Sequence, residues 1–185
     1  VTRRQRQMCI RDRSKYSHPA SYYSSRNWRN GRYYLNQASW KDKADEAGFI
    51  VVAPYGQPVV PGRPRATRLW NVSLRPSNPR SQIDDVQFFR VLLNKLQRNL
   101  NIDQNRIYVV GHSNGGEMAF LLGRKLSKKL AAIAAVASIT PIGSPFLNQT
   151  STIPLSTLYI TGTKDPLVPL ACLLYTSPSP RDPNR

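Results

Sequence analysis

The sequence predicts an α/β fold, in which a mostly parallel sheet carries helices on both faces. Largely apolar runs of strand length extend from Phe49 to Ala53, from Arg106 to Val110 and from Ser156 to Thr161. Such runs are typical of strands that are buried on both faces. Helix-like segments alternate with them, and this alternation favours a parallel sheet built from strand–helix–strand units.

The first two predicted helices carry terminal signals. Trp40 to Ala47 is a short helical segment, and Gly48 follows it as a typical helix stop. Asp84 and Asp85 are expected to open a longer helix, because aspartate is favoured at the N-cap and in the first turn. Its apolar residues recur at steps of three and four and predict one buried face: Val86, Phe89, Leu93, Leu96 and Leu100.

The remaining segments complete the alternation. Tyr55 to Gln82 contains five prolines and many arginines, and is predicted to be a long surface loop. Gly115 to Leu126 is the third predicted helix. Leu130 to Thr140 is Ala-rich and apolar, and we expect it to begin as the end of a helix and to continue as a buried strand.

The two ends of the chain are predicted to be tails that do not belong to the domain. Codons for Met8 to Arg13 can be chosen so that their reverse complement, in a shifted frame, encodes Cys172 to Thr176. Both ends resemble a translated transposon-type sequencing adapter. Residues 1–13 and 172–185 are therefore assigned to adapter-derived tails, and residues 14–171 to part of one α/β domain.

Removing the tails changes what the composition implies. The formal charge of +17 on 185 residues would by itself suggest an anionic partner. Without the tails, Lys and Arg fall from 27 to 20 and Asp and Glu from 10 to 8, so the charge is +12. Both cysteines also lie in the tails, so cysteine usage indicates no redox compartment. The sequence has no apolar run of about 18 residues or more, so no membrane span is expected.

The motif G-H-S-N-G, from Gly111 to Gly115, predicts a nucleophilic serine. Its value lies in its context, since a strand precedes it and a helix follows it. A sharp strand-to-helix turn would expose the Ser113 hydroxyl at the end of the sheet, and the N–H of Asn114 could help to bind an oxyanion. The alternative is an ordinary glycine-rich helix entry capped by Ser113.

Several motifs in order resemble one family. They are G-F-I-V-V-A-P, W-N, D-D-V, N-I-D-Q-N-R-I-Y-V-V-G-H-S-N-G-G-E-M-A and I-T-G-T-K-D-P-L-V-P. Together they resemble the polyhydroxybutyrate depolymerase and feruloyl esterase-like branch of the α/β-hydrolases, over Trp40 to Pro169. The resemblance implies a serine esterase, often secreted, that acts on polyesters, feruloylated or acetylated polysaccharides, or small esters. We expect neither a cofactor nor a metal.

The resemblance implies roles for four residues. Ser113 matches the nucleophile, and Asn114 the residue whose amide helps to form the oxyanion hole. Asp165 matches the acid of the triad, although an Asp-Pro turn is the alternative. Trp70 matches a position that could lie near the acyl pocket, although a tryptophan packed in the core is the alternative.

Two parts of such an esterase have no counterpart in this sequence. A triad needs a histidine, which in this family follows the acid, but the chain contains only His18 and His112. The H-G-G-type loop that supplies a second oxyanion N–H has no match between Ser14 and Trp40. The chain is therefore predicted to be a central fragment of a serine esterase with little or no turnover.

Three other functions stay open. A serine peptidase could use the same fold, and a pseudoenzyme could lack its histidine naturally. A basic binding module could use the arginines of the loop beside Trp70, which are Arg63, Arg65, Arg68, Arg75 and Arg80. No nucleic-acid-binding motif is present, so an ester substrate, small or polymeric, is the expected partner, and nucleic acid is not.

Overall fold

The structure, a computed structural model, describes residues 8–11, 18–24, 35–36, 38–59, 67–72, 82–138 and 153–168. Its strands are β1 Met8–Arg11, β2 His18–Ser24, β3 Ile50–Pro54, β4 Gln57–Pro58, β5 Arg68–Leu69, β6 Ile102–His112, β7 Ala132–Val136 and β8 Ser156–Ile160. Its helices are α1 Trp40–Ala47, α2 Asp85–Asn99 and α3 Asn114–Lys125, and a short 3-10 turn spans Ser127–Lys129.

The main sheet is mostly parallel, as predicted. Its strand order is β1-β3-β2-β6-β7-β8. The five strands from β3 to β8 in that order run parallel, and β1 pairs with β3 in the antiparallel sense. The short strands β4 and β5 form a separate antiparallel ribbon. Because the inner strands are parallel, their carboxyl ends meet at one edge of the sheet.

Strand β3 shows that helices cover both faces. Ile50 and Val52 pack in the larger core, together with the apolar faces of α2 and α3. Val51 and Ala53 point to the opposite side and pack in a smaller core with Ala44 of α1. Successive side chains of a strand alternate between faces, so β3 is buried on both. The predicted α/β layering is confirmed.

The terminal signals of the first two helices are also confirmed. Gly48 has a left-handed φ of 65° and its N–H donates to the carbonyl of Ala44, as a C-cap should. Asp84 caps α2 by accepting the N–H of Gln87 at 2.7 Å. Of the predicted face of α2, Phe89, Leu93 and Leu96 are buried, and Val86 and Leu100 are partly buried against the same core. Leu92, which the prediction did not include, is buried as well.

Other segments differ from the prediction. Strand β2 was not expected, yet it lies between β3 and β6 near the centre of the sheet. Strand β6 begins at Ile102 rather than at Arg106. No helix end precedes β7 within 130–136; a single 3-10 turn, Ser127–Lys129, comes before it. In the predicted loop Tyr55 to Gln82, the β4–β5 ribbon is formed, whereas residues 60–66 and 73–81 lie outside the described residues.

The predicted N-terminal tail includes strand β1. Residues Met8 to Arg11 pair with Pro54 to Val51 of β3. This pairing shows where Met8 to Arg11 lie, but it does not test whether these residues are encoded by adapter DNA. The assignment of residues 1–13 and 172–185 to adapter-derived tails therefore stays a prediction. Residues 172–185 lie outside the described part.

Strand β8 is the outermost of the described strands on its side of the sheet. Leu158 and Ile160 point to one face and are 57% and 48% exposed, so the expectation that this strand is buried on both faces is wrong. Tyr159 points to the other face, where its ring lies 5.6 Å from that of Phe120 in α3. None of the helices in the described ranges is long and apolar enough to cross a membrane.

Candidate active site

Ser113 occupies a sharp turn between the sheet and a helix. Strand β6 ends at His112 and α3 begins at Asn114, so Ser113 alone makes the connection. Its φ of 53° and ψ of −124° lie in a region that residues with a Cβ seldom adopt. Its N–H donates to the carbonyl of Val136 at 2.9 Å, and its carbonyl accepts the N–H of Gly116 at 2.8 Å. The predicted strand–turn–helix context of the serine is confirmed.

The hydroxyl of Ser113 is not used as a helix cap. Although Ser113 stands at the N-cap position of α3, its side chain makes no capping hydrogen bond. The ordinary structural interpretation of the motif therefore does not account for the serine. A strained backbone at a strand-to-helix turn, with a serine hydroxyl that does not cap the helix, is instead the geometry of a nucleophile elbow.

Two glycines allow the elbow to pack tightly. A Cβ on Gly111 would overlap the carbonyl of Gly115. A Cβ on Gly116 would lie 2.5 Å from the Cβ of Ser138, in the segment that follows β7. The first turn of α3 is therefore in close contact with the chain beyond the neighbouring strand.

Asp165 follows β8 at the same edge of the sheet. In the register of the sheet, His112, Val136 and Ile160 lie side by side at the ends of β6, β7 and β8. Two strand spacings separate β6 from β8, which is about 10 Å. Asp165 comes five positions after Ile160. The topology therefore brings Ser113 and Asp165 to the same carboxyl edge of the sheet.

The carboxylate of Asp165 is held in its ionised form. Its Oδ1 accepts the N–H groups of Leu167 at 2.9 Å and Val168 at 3.0 Å. These two hydrogen bonds, and to a smaller degree the charge of His112, lower the pKa of Asp165 below its ordinary value. The same two bonds also form the Asp-Pro turn, so the two interpretations of Asp165 describe one geometry.

The two histidines occupy different ends of the sheet. His112 ends β6 and lies within electrostatic range of the Asp165 carboxylate. His18 pairs with Ile102, whereas Ser24 at the other end of β2 pairs with Gly111. Six residues of extended chain span about 20 Å. His18 is therefore far from the elbow, in agreement with the chain-order argument against it as a base.

Asn114 has a role that the sequence did not indicate. Its Oδ1 accepts the main-chain N–H of Trp70 at 2.7 Å, and its Nδ2 donates to the main-chain carbonyl of Trp70 at 3.3 Å. Nδ2 also donates to Oε2 of Glu117 at 3.0 Å. The main-chain N–H of Asn114 belongs to the first turn of α3, whose N–H groups have no acceptor within the helix. The side chain is thus committed, while the main chain suits an oxyanion.

Trp70 is packed in the core. Its side chain is 1% exposed, and its ring centroid lies 4.9 Å from that of Phe89 and 6.1 Å from that of Phe88. The packing alternative matches this burial. This burial does not support a direct contact between the Trp70 indole and a substrate.

Asp85 holds the segment that contains Trp70. Asp84 is the cap of α2, whereas the buried carboxylate of Asp85 accepts the N–H of Asn71 at 2.6 Å. The amide of Asn71 in turn donates to the carbonyl of Ile83 at 2.8 Å. The sequence carried a signal for this role, because Asp85 shares the helical spacing of the buried residues Phe89, Leu92 and Leu96.

Three hydroxyls are buried close to the carboxyl edge. Ser138 Oγ, the Tyr159 hydroxyl and Thr161 Oγ1 have no hydrogen-bond partner among the described residues. Burial raises the pKa of Tyr159 to about 12. Within the described ranges, no group of three or more His, Cys, Asp or Glu side chains could hold a metal ion.

Comparisons with known proteins identify the fold and the relatives. Residues 31–179 match the family model described as Phospholipase/Carboxylesterase. NocK of Nocardia uniformis subsp. tsuyamanensis, named as an esterase candidate, is 33% identical over 101 residues, which are 54% of this chain and 29% of NocK. The bifunctional acetylxylan esterase/xylanase XynS20E of Neocallimastix patriciarum is 25% identical over 133 residues, which are 72% of this chain and 17% of that protein.

Among solved structures, esterase PE8 is similar with a TM-score of 0.68 at 18% identity, over 92% of this chain and 81% of that one. At such identity the likeness shows a shared α/β-hydrolase fold. The chain spans less than a third of the length of the two curated relatives it matches.

Proposed function

Because the chain belongs to the phospholipase/carboxylesterase family, we propose that it derives from an enzyme that hydrolyses carboxylic esters through an acyl-enzyme on Ser113. The observation that carries this proposal is the strained backbone of Ser113, between β6 and α3. This geometry is of use to an enzyme, since it exposes a hydroxyl at the carboxyl edge of a parallel sheet.

The proposed reaction uses the surrounding groups in turn. The Ser113 oxygen attacks the ester carbonyl while a base takes its proton, and the main-chain N–H of Asn114 stabilises the oxyanion. The base returns this proton to the leaving alcohol, and water, deprotonated by the same base, then hydrolyses the acyl-enzyme and frees Ser113. Asp165, ionised at neutral pH, is the proposed acid that would orient and stabilise the histidine base.

The histidine is the part that this sequence does not supply in the expected order. No histidine follows Asp165 in the 185 residues. His112 adjoins the nucleophile in the chain, and His18 lies at the far end of β2. We therefore expect turnover several orders of magnitude below that of a complete triad.

The proposed substrates are esters on polymers or small molecules. The name of XynS20E supports acetyl groups on xylan as one substrate class. The motif resemblance adds feruloyl esters and polyesters of the polyhydroxybutyrate kind, and supports a secreted parent enzyme.

A labelling experiment tests the proposal on the chain as it is. The protein is incubated with a fluorophosphonate, with and without added imidazole as an external base, and the modified residue is identified by mass spectrometry. We expect one adduct, on Ser113, that forms faster with imidazole and is lost in Ser113→Ala. An adduct on another residue, or equal labelling of the Ser113→Ala variant, would disprove the proposed nucleophile.

Hydrolysis assays then address the substrate. Aryl acetate, feruloyl ester and peptide amide substrates are compared in imidazole, with the rate of Ser113→Ala subtracted because imidazole itself cleaves activated esters. Ester cleavage without amide cleavage would favour the esterase over the peptidase.

A further inference from the structure

The side chain of Asn114 joins the nucleophile elbow to a second segment of the chain. Its carboxamide is bonded to both main-chain polar groups of Trp70, through Oδ1 at 2.7 Å and Nδ2 at 3.3 Å. The two residues are 44 positions apart in sequence. The contact therefore fixes a loop against the residue that directly follows Ser113. We call this pair of hydrogen bonds the Asn114 clamp.

The clamp is one of the contacts that attach the segment 67–72 to the rest of the domain. Before Trp70, the chain pairs with β4, and Arg68 donates from Nη1 to the carbonyl of Gly56 at 3.1 Å. After Trp70, the N–H of Asn71 donates to the buried carboxylate of Asp85 at 2.6 Å. The segment is thus attached to the ribbon, to α2 and to α3. The attachment to α3 reaches the elbow.

The chemistry of the clamp requires an amide. Trp70 presents an N–H and a carbonyl, so its partner must accept and donate at once. Asparagine does both, and its remaining N–H reaches Glu117 at 3.0 Å. An aspartate would keep the acceptor but lose both donors, and would face the Glu117 carboxylate and the Trp70 carbonyl with a negative charge.

We propose that Asn114 is a positioning residue, whose carboxamide fixes the main chain of Trp70 beside Ser113 and thereby fixes the orientation of its own main-chain N–H. The catalytic part of this inference rests on the proposed function, since it is the oxyanion donor that is being oriented. The donor itself is a main-chain group, so every substitution at position 114 other than proline keeps it. The side chain can therefore be tested separately from the N–H.

Three variants and a matched control separate positioning from folding. Asn114→Ala removes the clamp. Asn114→Asp keeps the acceptor alone, and adding Glu117→Gln to it supplies a donor in place of the opposing carboxylate. Asn94→Ala is the control, because Asn94 is a half-buried helical asparagine whose hydrogen bond from Lys129, at 3.5 Å, is long.

The first measurement is amide hydrogen exchange. In Asn114→Ala we expect the Trp70 amide to exchange about tenfold faster, as the loss of one hydrogen bond allows. The Asn71 amide, bonded to Asp85, should change much less. The second measurement is the rate of fluorophosphonate labelling of Ser113 in the folded protein. We expect it to fall by about tenfold in Asn114→Ala and Asn114→Asp, to recover in part with Glu117→Gln, and to be unchanged in Asn94→Ala.

The outcomes distinguish the two proposals. Faster Trp70 exchange with slower labelling, and recovery in the double variant, would support the positioning role. Unchanged Trp70 exchange would overturn the clamp. Faster exchange with unchanged labelling would overturn its catalytic part and leave a purely structural contact. If the unsubstituted chain forms no Ser113 adduct even with imidazole, the proposed function fails and the catalytic part with it, whereas the exchange data still decide whether the clamp exists.

Discussion

Replacing Gly116 with alanine should destabilise the protein, although alanine is the better helix former. Within a helix, Gly→Ala gains about 0.8–1 kcal/mol. At position 116, however, the new Cβ would lie 2.5 Å from the Cβ of Ser138, 2.7 Å from its Oγ and 3.2 Å from the carbonyl oxygen of Gly111. The Cβ of Ser138 is fixed by its own backbone and cannot rotate away. Overpacking costs about 1–3 kcal/mol, and two such overlaps fall at the upper end, so a net loss of about 1–2 kcal/mol is expected.

Thermal and denaturant unfolding measure this loss. For a chain of this size, about 1 kcal/mol shifts the Tm by about 2–4 °C, so Gly116→Ala should lower the Tm by about 2–8 °C. Gly123→Ala is the matched control in the same helix. Its Cβ would meet Ile133 Cδ1 at 3.0 Å and Leu155 Cδ2 at 3.1 Å, the ends of flexible side chains that can move. This variant should be neutral or stabilised by up to about 1 kcal/mol.

A second substitution identifies the cause. Ser138→Gly removes the two nearest of the three atoms that the new methyl group would meet, so it should recover part of the stability lost in Gly116→Ala. If Gly116→Ala is as stable as Gly123→Ala, or if Ser138→Gly recovers nothing, then α3 does not approach the segment after β7 as closely as described, and the packing argument for the elbow is wrong.

Three further predictions follow from the site. Ser113→Gly and Ser113→Ala should both abolish Ser113-dependent hydrolysis. Denaturant unfolding should show the glycine variant to be more stable by about 1 kcal/mol, because only alanine keeps a Cβ at φ 53°. Equal stability of the two variants would argue against backbone strain at this position. Tyr159→Phe should leave the unfolding free energy unchanged or raise it by up to about 1 kcal/mol, since the hydroxyl has no partner among the described residues. Ultraviolet titration of Tyr159→Phe should also lack the phenol that ionises near pH 12. Because the folded pKa of Tyr159 is raised from 10.0, the contribution of its protonated form to stability is complete below pH 10 and is lost as pH rises toward 12. The folded pKa of Asp165 is lowered, so the stability contributed by its carboxylate is present above the ordinary pKa of 3.8 and is lost as pH falls through the folded pKa. Acid unfolding of Asp165→Asn should lack this loss. If the stability of the variant falls with acid as much as that of the unsubstituted protein, the two N–H bonds to Asp165 are contradicted.

The fold was predictable where burial and local signals agree. The apolar run at β3, the spacing in α2 and the stop at Gly48 each indicate their element from sequence alone. The run at β8 also indicates its strand, but not the exposure that follows from its place at the outer side of the described sheet. Strand β2 was not predictable in this way, because H-P-A-S-Y-Y-S is neither an apolar run nor a clean alternation. Its place in the sheet depends on parallel pairing with β3 and β6, which are distant in sequence. Asp103, Gln104 and Asn105 near the start of β6 are polar and half-buried or exposed, which explains the late predicted start.

The site was predictable as far as its motifs are local. Ser113 and the shape of its turn follow from a few adjacent residues. The bonds of Asn114 to Trp70 and of Asn71 to Asp85 do not, because they join segments whose separation is known only once the sheet is assembled. The sequence signal for the second of these bonds is Asp85, a polar residue at the helical spacing of a buried face, which indicates a buried hydrogen-bond partner.

The outer edge of β8 has a consequence for the protein in solution. Within the described part of the chain, no strand pairs with this edge. Such an edge offers main-chain N–H and C=O groups to a strand of another molecule, and the exposed Leu158 and Ile160 add apolar surface to that contact. The formal charge of +17 opposes such self-association by repulsion between copies. Salt screens this repulsion beyond about 8 Å at physiological ionic strength. Solubility should therefore decrease as salt is added, and dilute, low-salt solutions should keep the copies apart.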